Sequence, residues 1–251
     1  MIIDWPLITV LFCLSIPGVF IAVKRLIYFL LANNSDELKN RLSRYAILQT
    51  LFMVFILSLA GAVLSPTTGL HDSLLDALLQ GSAGISALTP ILLPLVLYSF
   101  FGLMGFLILY YGIMARLITK TNMEIMANLR NALGVDGCVL YGGVVEEVIA
   151  RWGLMNLATF FAFLFTRQHP VLIIWLSMLV SGLIFAISQL PAYLAAGCTS
   201  SRRFIYSLIL LNLYTSFLFG YLFWQYGLLT AILAHMLFHL GWAAFDNVKK
   251  M

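Results

Sequence analysis

Two neighbouring carboxylates and an arginine stand where a chain this apolar should carry no charge. They lie in the run Val144-Val145-Glu146-Glu147-Val148-Ile149-Ala150-Arg151, which is otherwise fit for a bilayer. A charged side chain at a helix centre there costs roughly 2.5–3.5 kcal/mol on insertion scales, so an intramembrane ionisable cluster reads as a functional site with a nameable partner. Glu147 and Arg151 stand four residues apart, share a helix face and can pair. Glu146 is turned about 100° around the helix from Glu147. The types suggest a division of labour in which Arg151 neutralises and fixes Glu147 while Glu146 serves as general base toward a water. The blander reading is an ion pair that only fixes helix packing. Gly142 and Gly143, one turn earlier, let a second helix approach closely.

A second pair lies far along the chain. His235 and His239, in Ala234-His235-Met236-Leu237-Phe238-His239-Leu240, have the spacing by which one helix face grips a zinc ion. No glutamate follows the first histidine, so a base or third ligand would come from Glu146 or Glu147. Glu146, His235 and His239 form the candidate three-ligand zinc set with an open position. A metal-free reading is equally open, with the imidazoles donating hydrogen bonds to a developing oxyanion. Gln189 lies deep in the apolar run Phe185-Ala186-Ile187-Ser188-Gln189-Leu190, just before Pro191. It could orient a water or a carboxylate, or merely bond a neighbouring helix for about 0.6 kcal/mol. Asn156, Asn212 and Thr215 read as packing bonds of that second kind, and His71 and His169 as solvated loop residues. Trp5, Trp175 and Trp224 fit interfacial anchors.

The elements that must position these residues are membrane helices. The chain has 251 residues, 62% hydrophobic and 10% charged, against about 25% charged in a soluble domain. Its mean hydropathy is +1.00. Apolar runs of spanning length fall at 5–31, 45–64, 88–115, 138–165, 170–195, 204–226 and 228–246. The fold class is therefore all-α, a polytopic membrane protein of about seven helices. An eighth span could hide in the long first run or in the amphipathic stretch 117–137. The first run has no basic residues before it and does not read as a cleavable signal. The 65–87 loop reads as an extracytoplasmic turn carrying a short amphipathic helix. Three scattered cysteines, Cys13, Cys138 and Cys198, imply no disulfide framework. Net charge is +4, but the basic residues lie in short loops and form no face for nucleic acid. Twelve of the fourteen lysines and arginines fall on one side of a seven-span arrangement. By the positive-inside rule that side is cytoplasmic, with the N-terminus outside and the C-terminus inside, in a plasma (inner) membrane.

Glu146-Glu147-x-x-x-Arg151, then Phe185-x-x-x-Gln189, then His235-x-x-x-His239, in that order on membrane helices, resembles a known family. It is the CAAX prenyl endopeptidase and bacteriocin-processing family, also called the abortive-infection (CPBP) intramembrane proteases. The likeness covers residues 138–246, so the chain divides into N-terminal membrane helices, 1–137, and a protease-like core, 138–251. It implies peptide-bond hydrolysis in a cavity within the bilayer, on a membrane-associated peptide or protein. The position of Glu146 activates the water, and those of Glu147 and Arg151 support it. His235 and His239 hold the oxyanion or a metal. Two positions depart from the family pattern. The last is often asparagine where this chain has His239, and the second motif usually ends in histidine where this chain has Gln189. Glutamine can hydrogen-bond a water but cannot take its proton or ligate a metal comparably. The rival reading is thus a pseudoprotease that binds a membrane peptide or partner, as an immunity factor would. A transporter using the carboxylates as a proton relay lacks the inverted repeat expected of many transporters.

Overall fold

The computed structural model describes residues 3–166 and 170–250, and they form helices joined by short connections. Several helix starts are written in local chemistry. Helix α1 (Trp5–Leu30) opens with the Asp4 side chain accepting the Leu7 N–H at 3.0 Å and a proline in its first turn. Ser35 caps α2 (Asp36–Thr68), which ends at Gly69 with φ +74°. Asp72 caps the short α3 (Ser73–Leu79). Then follow α4 (Ile85–Leu117), α5 (Lys120–Phe165) and α6 (Pro170–Ala195). Ser201 caps α7 (Arg202–Tyr226), and Gly227, at φ +90°, turns the chain into α8 (Leu228–Lys250).

Seven of these among the described residues, all but α3, are long and apolar enough to cross a membrane. Helix α2 is longer than its apolar run because Ser35, Asp36 and Glu37 give it a capped, acidic first turn. At 33 residues it extends about 50 Å, well past the hydrocarbon layer. The amphipathic stretch 117–137 adds no eighth span. It is mostly the first arm of α5, residues 120–133, and the helix breaks at Gly134, whose φ of +74° and ψ of 166° suit only glycine. The reading of His169 as a loop residue falls outside the described residues.

Close approach through small residues assembles the bundle. A Cβ on Gly18 of α1 would come within 2.6 Å of the Leu140 carbonyl oxygen, and one on Gly153 of α5 within 2.6 Å of the Leu57 Cβ. Trp152 lies buried between α2 and α5, its indole N–H donating to the Ser58 carbonyl at 3.0 Å. One buried apolar cluster runs from α1 to α8. The outward residues of α4, among them Leu92, Leu93, Phe100 and Phe101, are large, apolar and exposed, as a lipid face requires. Around the two glutamates α5 widens into π-helical turns, Cys138–Val145 and Val148–Met155. Such turns are rare and cluster at functional sites.

Candidate active site

Helix α5 divides the two glutamates. Glu147 is fully buried and Arg151 is 3% exposed. Their charges meet at 3.4 Å, Arg151 Nε to Glu147 Oε2, while Arg151 Nη2 donates to the Thr215 carbonyl on α7 at 2.9 Å. The pairing read from the spacing is present. A partner not foreseen there is His235, whose Nδ1 lies 2.7 Å from Glu147 Oε1. A carboxylate only accepts, so the Nδ1–H donates and the tautomer of His235 is set by this bond. Glu147 is thus held from two helices at once.

Glu146 faces the other way. It is half-buried and lines a cavity with an empty volume of about 910 Å³, mouth included. Gln189 from α6 and His235 and His239 from α8 line the same cavity; Glu147 and Arg151 do not. Among the described contacts no hydrogen bond or ion pair engages the Glu146 carboxylate. The remaining wall is largely apolar and aromatic, including Phe106, Tyr110, Tyr141, Leu208 and Trp242. A pocket of this kind suits a chain segment with large apolar side chains.

The glycines explain how α8 reaches the site. A Cβ at Gly142 would collide with the Nε2 corner of the His239 ring, and one at Gly143 would meet the Met236 side chain and backbone. The second helix admitted by Gly142 and Gly143 is therefore α8, and the glycine face sets both histidines against the glutamates.

Asn212 and Thr215 of α7 also line the cavity, where the sequence reading made them packing bonds. Asn212 bonds back within α7, to the Leu208 carbonyl at 2.9 Å, rather than to a neighbouring helix, and it faces the site. The signal was available in the helix period, since 208, 211, 212 and 215 share one stripe. Asn156, by contrast, is a packing residue: fully buried, it bonds Thr68, the Leu70 carbonyl and the Trp152 carbonyl. His71 is exposed in its loop.

As a zinc site the arrangement fits poorly. No group of three His, Cys, Asp or Glu that could hold an ion is gathered among the described residues. The His235 and His239 rings lie nearly parallel, 4.8 Å apart at 16°, stacked rather than converging on a point. Chemically the cavity offers an unpaired carboxylate, an amide, and two imidazoles against an apolar wall. That is the equipment of a glutamate-driven hydrolysis with hydrogen-bond donors beside it.

No curated protein and no solved structure matches the chain. Residues 131–241, from the end of the first arm of α5 to α8, match the family model of type II CAAX prenyl endopeptidase Rce1-like proteins, so over this segment the chain carries the membrane-protease likeness that its three short motifs announced.

Proposed function

We propose that the chain is an intramembrane endopeptidase that hydrolyses a peptide bond of a membrane-associated peptide or protein. The observation that carries this reading is the separation of the two adjacent carboxylates. Glu147 is tied to Arg151 and His235, and Glu146 alone faces the cavity. In the mechanism this supports, Glu146 takes a proton from a water whose oxygen attacks the scissile carbonyl carbon. The oxygen of that carbonyl gains the charge and is met by the imidazole N–H of His239, while His235, its Nδ1–H given to Glu147, holds that carboxylate in place beside the site. Glu146 then returns its proton to the leaving nitrogen, which departs as the amine when the carbon–nitrogen bond breaks. Gln189 positions the water through its amide, which can donate and accept but not abstract a proton. The apolar wall selects a substrate already in, or on, the bilayer. No step is routed through a metal, because the donors do not gather around one.

The test compares peptide N-termini in membranes of cells carrying the native chain or Glu146→Ala at equal abundance. General-base removal should cost at least about 10²-fold in rate, so the native chain should yield N-termini that the variant lacks. Identical N-terminal profiles with both proteins folded would overturn the proposal. Processing that a chelator abolishes and zinc restores would instead revive Glu146, His235 and His239 as ligands.

A second reading rests on Gln189. If the native chain cleaves nothing while Gln189→His does, the chain is a pseudoprotease that binds a membrane peptide through the same cavity.

A further inference from the structure

His239 lines the cavity with neither ring nitrogen bonded to another group of the protein. A histidine whose plane no hydrogen bond fixes must be held by packing. His235, with its bond to Glu147, has no such need. The packing around His239 is unusually regular. Phe219 and His235 lie 4.0 Å apart at 17°. His235 and His239 follow at 4.8 Å and 16°, then His239 and Trp242 at 6.3 Å and 14°. The guanidinium carbon of Arg130 stands 3.9 Å from the centre of the Trp242 ring. Five planar groups thus form one column: Phe219 from α7, His235, His239 and Trp242 from α8, and Arg130 from the first arm of α5. Phe238 stands edge-on along its side, at 85°, 86° and 81° to His235, His239 and Trp242. Gly142 lies against the Nε2 corner of the His239 ring.

The far end of the column is itself anchored. The Trp242 indole N–H donates to the Tyr111 hydroxyl at 3.2 Å, and both Tyr111 and Arg130 bond Asp246. The arm that carries Arg130 is pinned at its two ends. Asn122 exchanges hydrogen bonds with Thr199 at 3.0 and 3.2 Å, and Arg25 bonds the Leu133 carbonyl and both oxygens of Asp136 across the Gly134 break.

We infer that Trp242 and Arg130 are positioning residues, the outer planes of a column that fixes the His239 imidazole in the cavity wall. This rests on the hydrolase reading for its effect on rate but not for its geometry. A displaced ring loses its aim at the developing oxyanion, and misplacement by about 1 Å costs catalysis on the order of 10²-fold. The first arm of α5 is thereby part of the site, although it lies before the glutamates and outside the apolar runs.

The experiment has two readouts on the purified full chain in detergent. The first is the rate at which diethyl pyrocarbonate modifies His239 relative to exposed His71, read by peptide mass spectrometry. Trp242→Ala should raise that ratio several-fold, Arg130→Ala by a smaller factor, and Trp242→Phe should leave it near the native value, since phenylalanine keeps an aromatic plane. The second readout is processing: Trp242→Ala should lower kcat by about 10- to 100-fold with little change in KM, and Trp242→Phe should recover most of it. An unmoved labelling ratio in Trp242→Ala and Arg130→Ala, or a Trp242→Phe as damaged as Trp242→Ala in both readouts, overturns the inference. A native chain without processing defeats the hydrolase reading alone, and the labelling ratio still decides the positioning role.

Discussion

At the scale of residues, the decisive fact is that one carboxylate of an adjacent pair is neutralised by its surroundings and the other is not. Burying Glu147 removes it from water, and Arg151 and His235 are what make that tolerable. Breaking a buried pair from one side typically costs about 3–5 kcal/mol because an uncompensated charge remains. Arg151→Met should therefore lower the melting temperature of the detergent-purified chain sharply. Glu147→Gln together with Arg151→Met removes both charges, so the double variant should be markedly more stable than the sum of the single changes predicts. Strict additivity would show that the pair does not act as a unit. The i, i+4 spacing made this contact legible in the sequence, as it did the facing of Glu146 away from it. The bond from Glu147 to His235 was not legible, because 88 residues separate the partners and only the packing of α8 on Gly142 and Gly143 brings them together. Nor could spacing reveal the column on His239, which needs three helices to assemble.

At the scale of elements, one loop residue ties two helix starts together. Asp72 accepts the Leu75 N–H at 2.8 Å through one oxygen, starting α3, and the Leu229 N–H at 2.6 Å through the other, at the start of α8. Gly227 must lack a Cβ here, both for its φ of +90° and because the atom would sit 2.7 Å from the Asp72 carboxyl carbon. Burial pushes the Asp72 carboxyl up from its ordinary range, against the opposing pull of the Leu229, Leu75 and Leu74 N–H groups. A raised value in the fold means that the folded chain holds this proton more tightly than the unfolded one. The residue's contribution is then fully present below the ordinary carboxylate value, near 3.9, and is lost as pH rises through the raised value. Asp72→Asn cannot titrate. The stability of the native chain relative to Asp72→Asn should accordingly increase as pH is lowered from neutral toward about 4, measured by thermal unfolding at a series of pH values. A difference that shrinks over that interval would refute the assignment. The short amphipathic helix of the 65–87 loop was readable from its pattern, yet its anchoring to α8 was not. The break at Gly134 was equally hidden, since a glycine in sequence does not announce the sign of its φ. The π-helical turns of α5 alter which face each following residue presents, and no spacing rule marks where they occur.

At the scale of the whole molecule, two independent lines give the same alternation of helix directions. Loop charge sorts the basic residues to one side, and the long-range ties at the helix ends sort the same way. Arg25 with Asp136, Asn122 with Thr199, and Arg130 with Asp246 gather the end of α1, the start of α5, the α6–α7 connection and the end of α8 at the basic end. Thr68 with Asn156, and Asp72 with Leu229, gather the end of α2, the far part of α5 and the start of α8 at the opposite end. Hydropathy made the seven spans legible because each spanning helix must satisfy its own backbone in lipid, so its length and apolarity are imposed by the solvent and not by its neighbours. Orientation is a further step, and we propose that the basic end is cytoplasmic. In a background with Cys13, Cys138 and Cys198 replaced, Ser82→Cys, in the exposed segment between α3 and α4, should react with an impermeant maleimide on intact cells. Asn33→Cys, exposed in the α1–α2 connection, should react only after the membrane is opened. The reverse pattern would invert the protein in the membrane. It would also move the Arg130 arm, and with it the basic-end wall of the cavity, to the outer face, so that any substrate would have to be sought there.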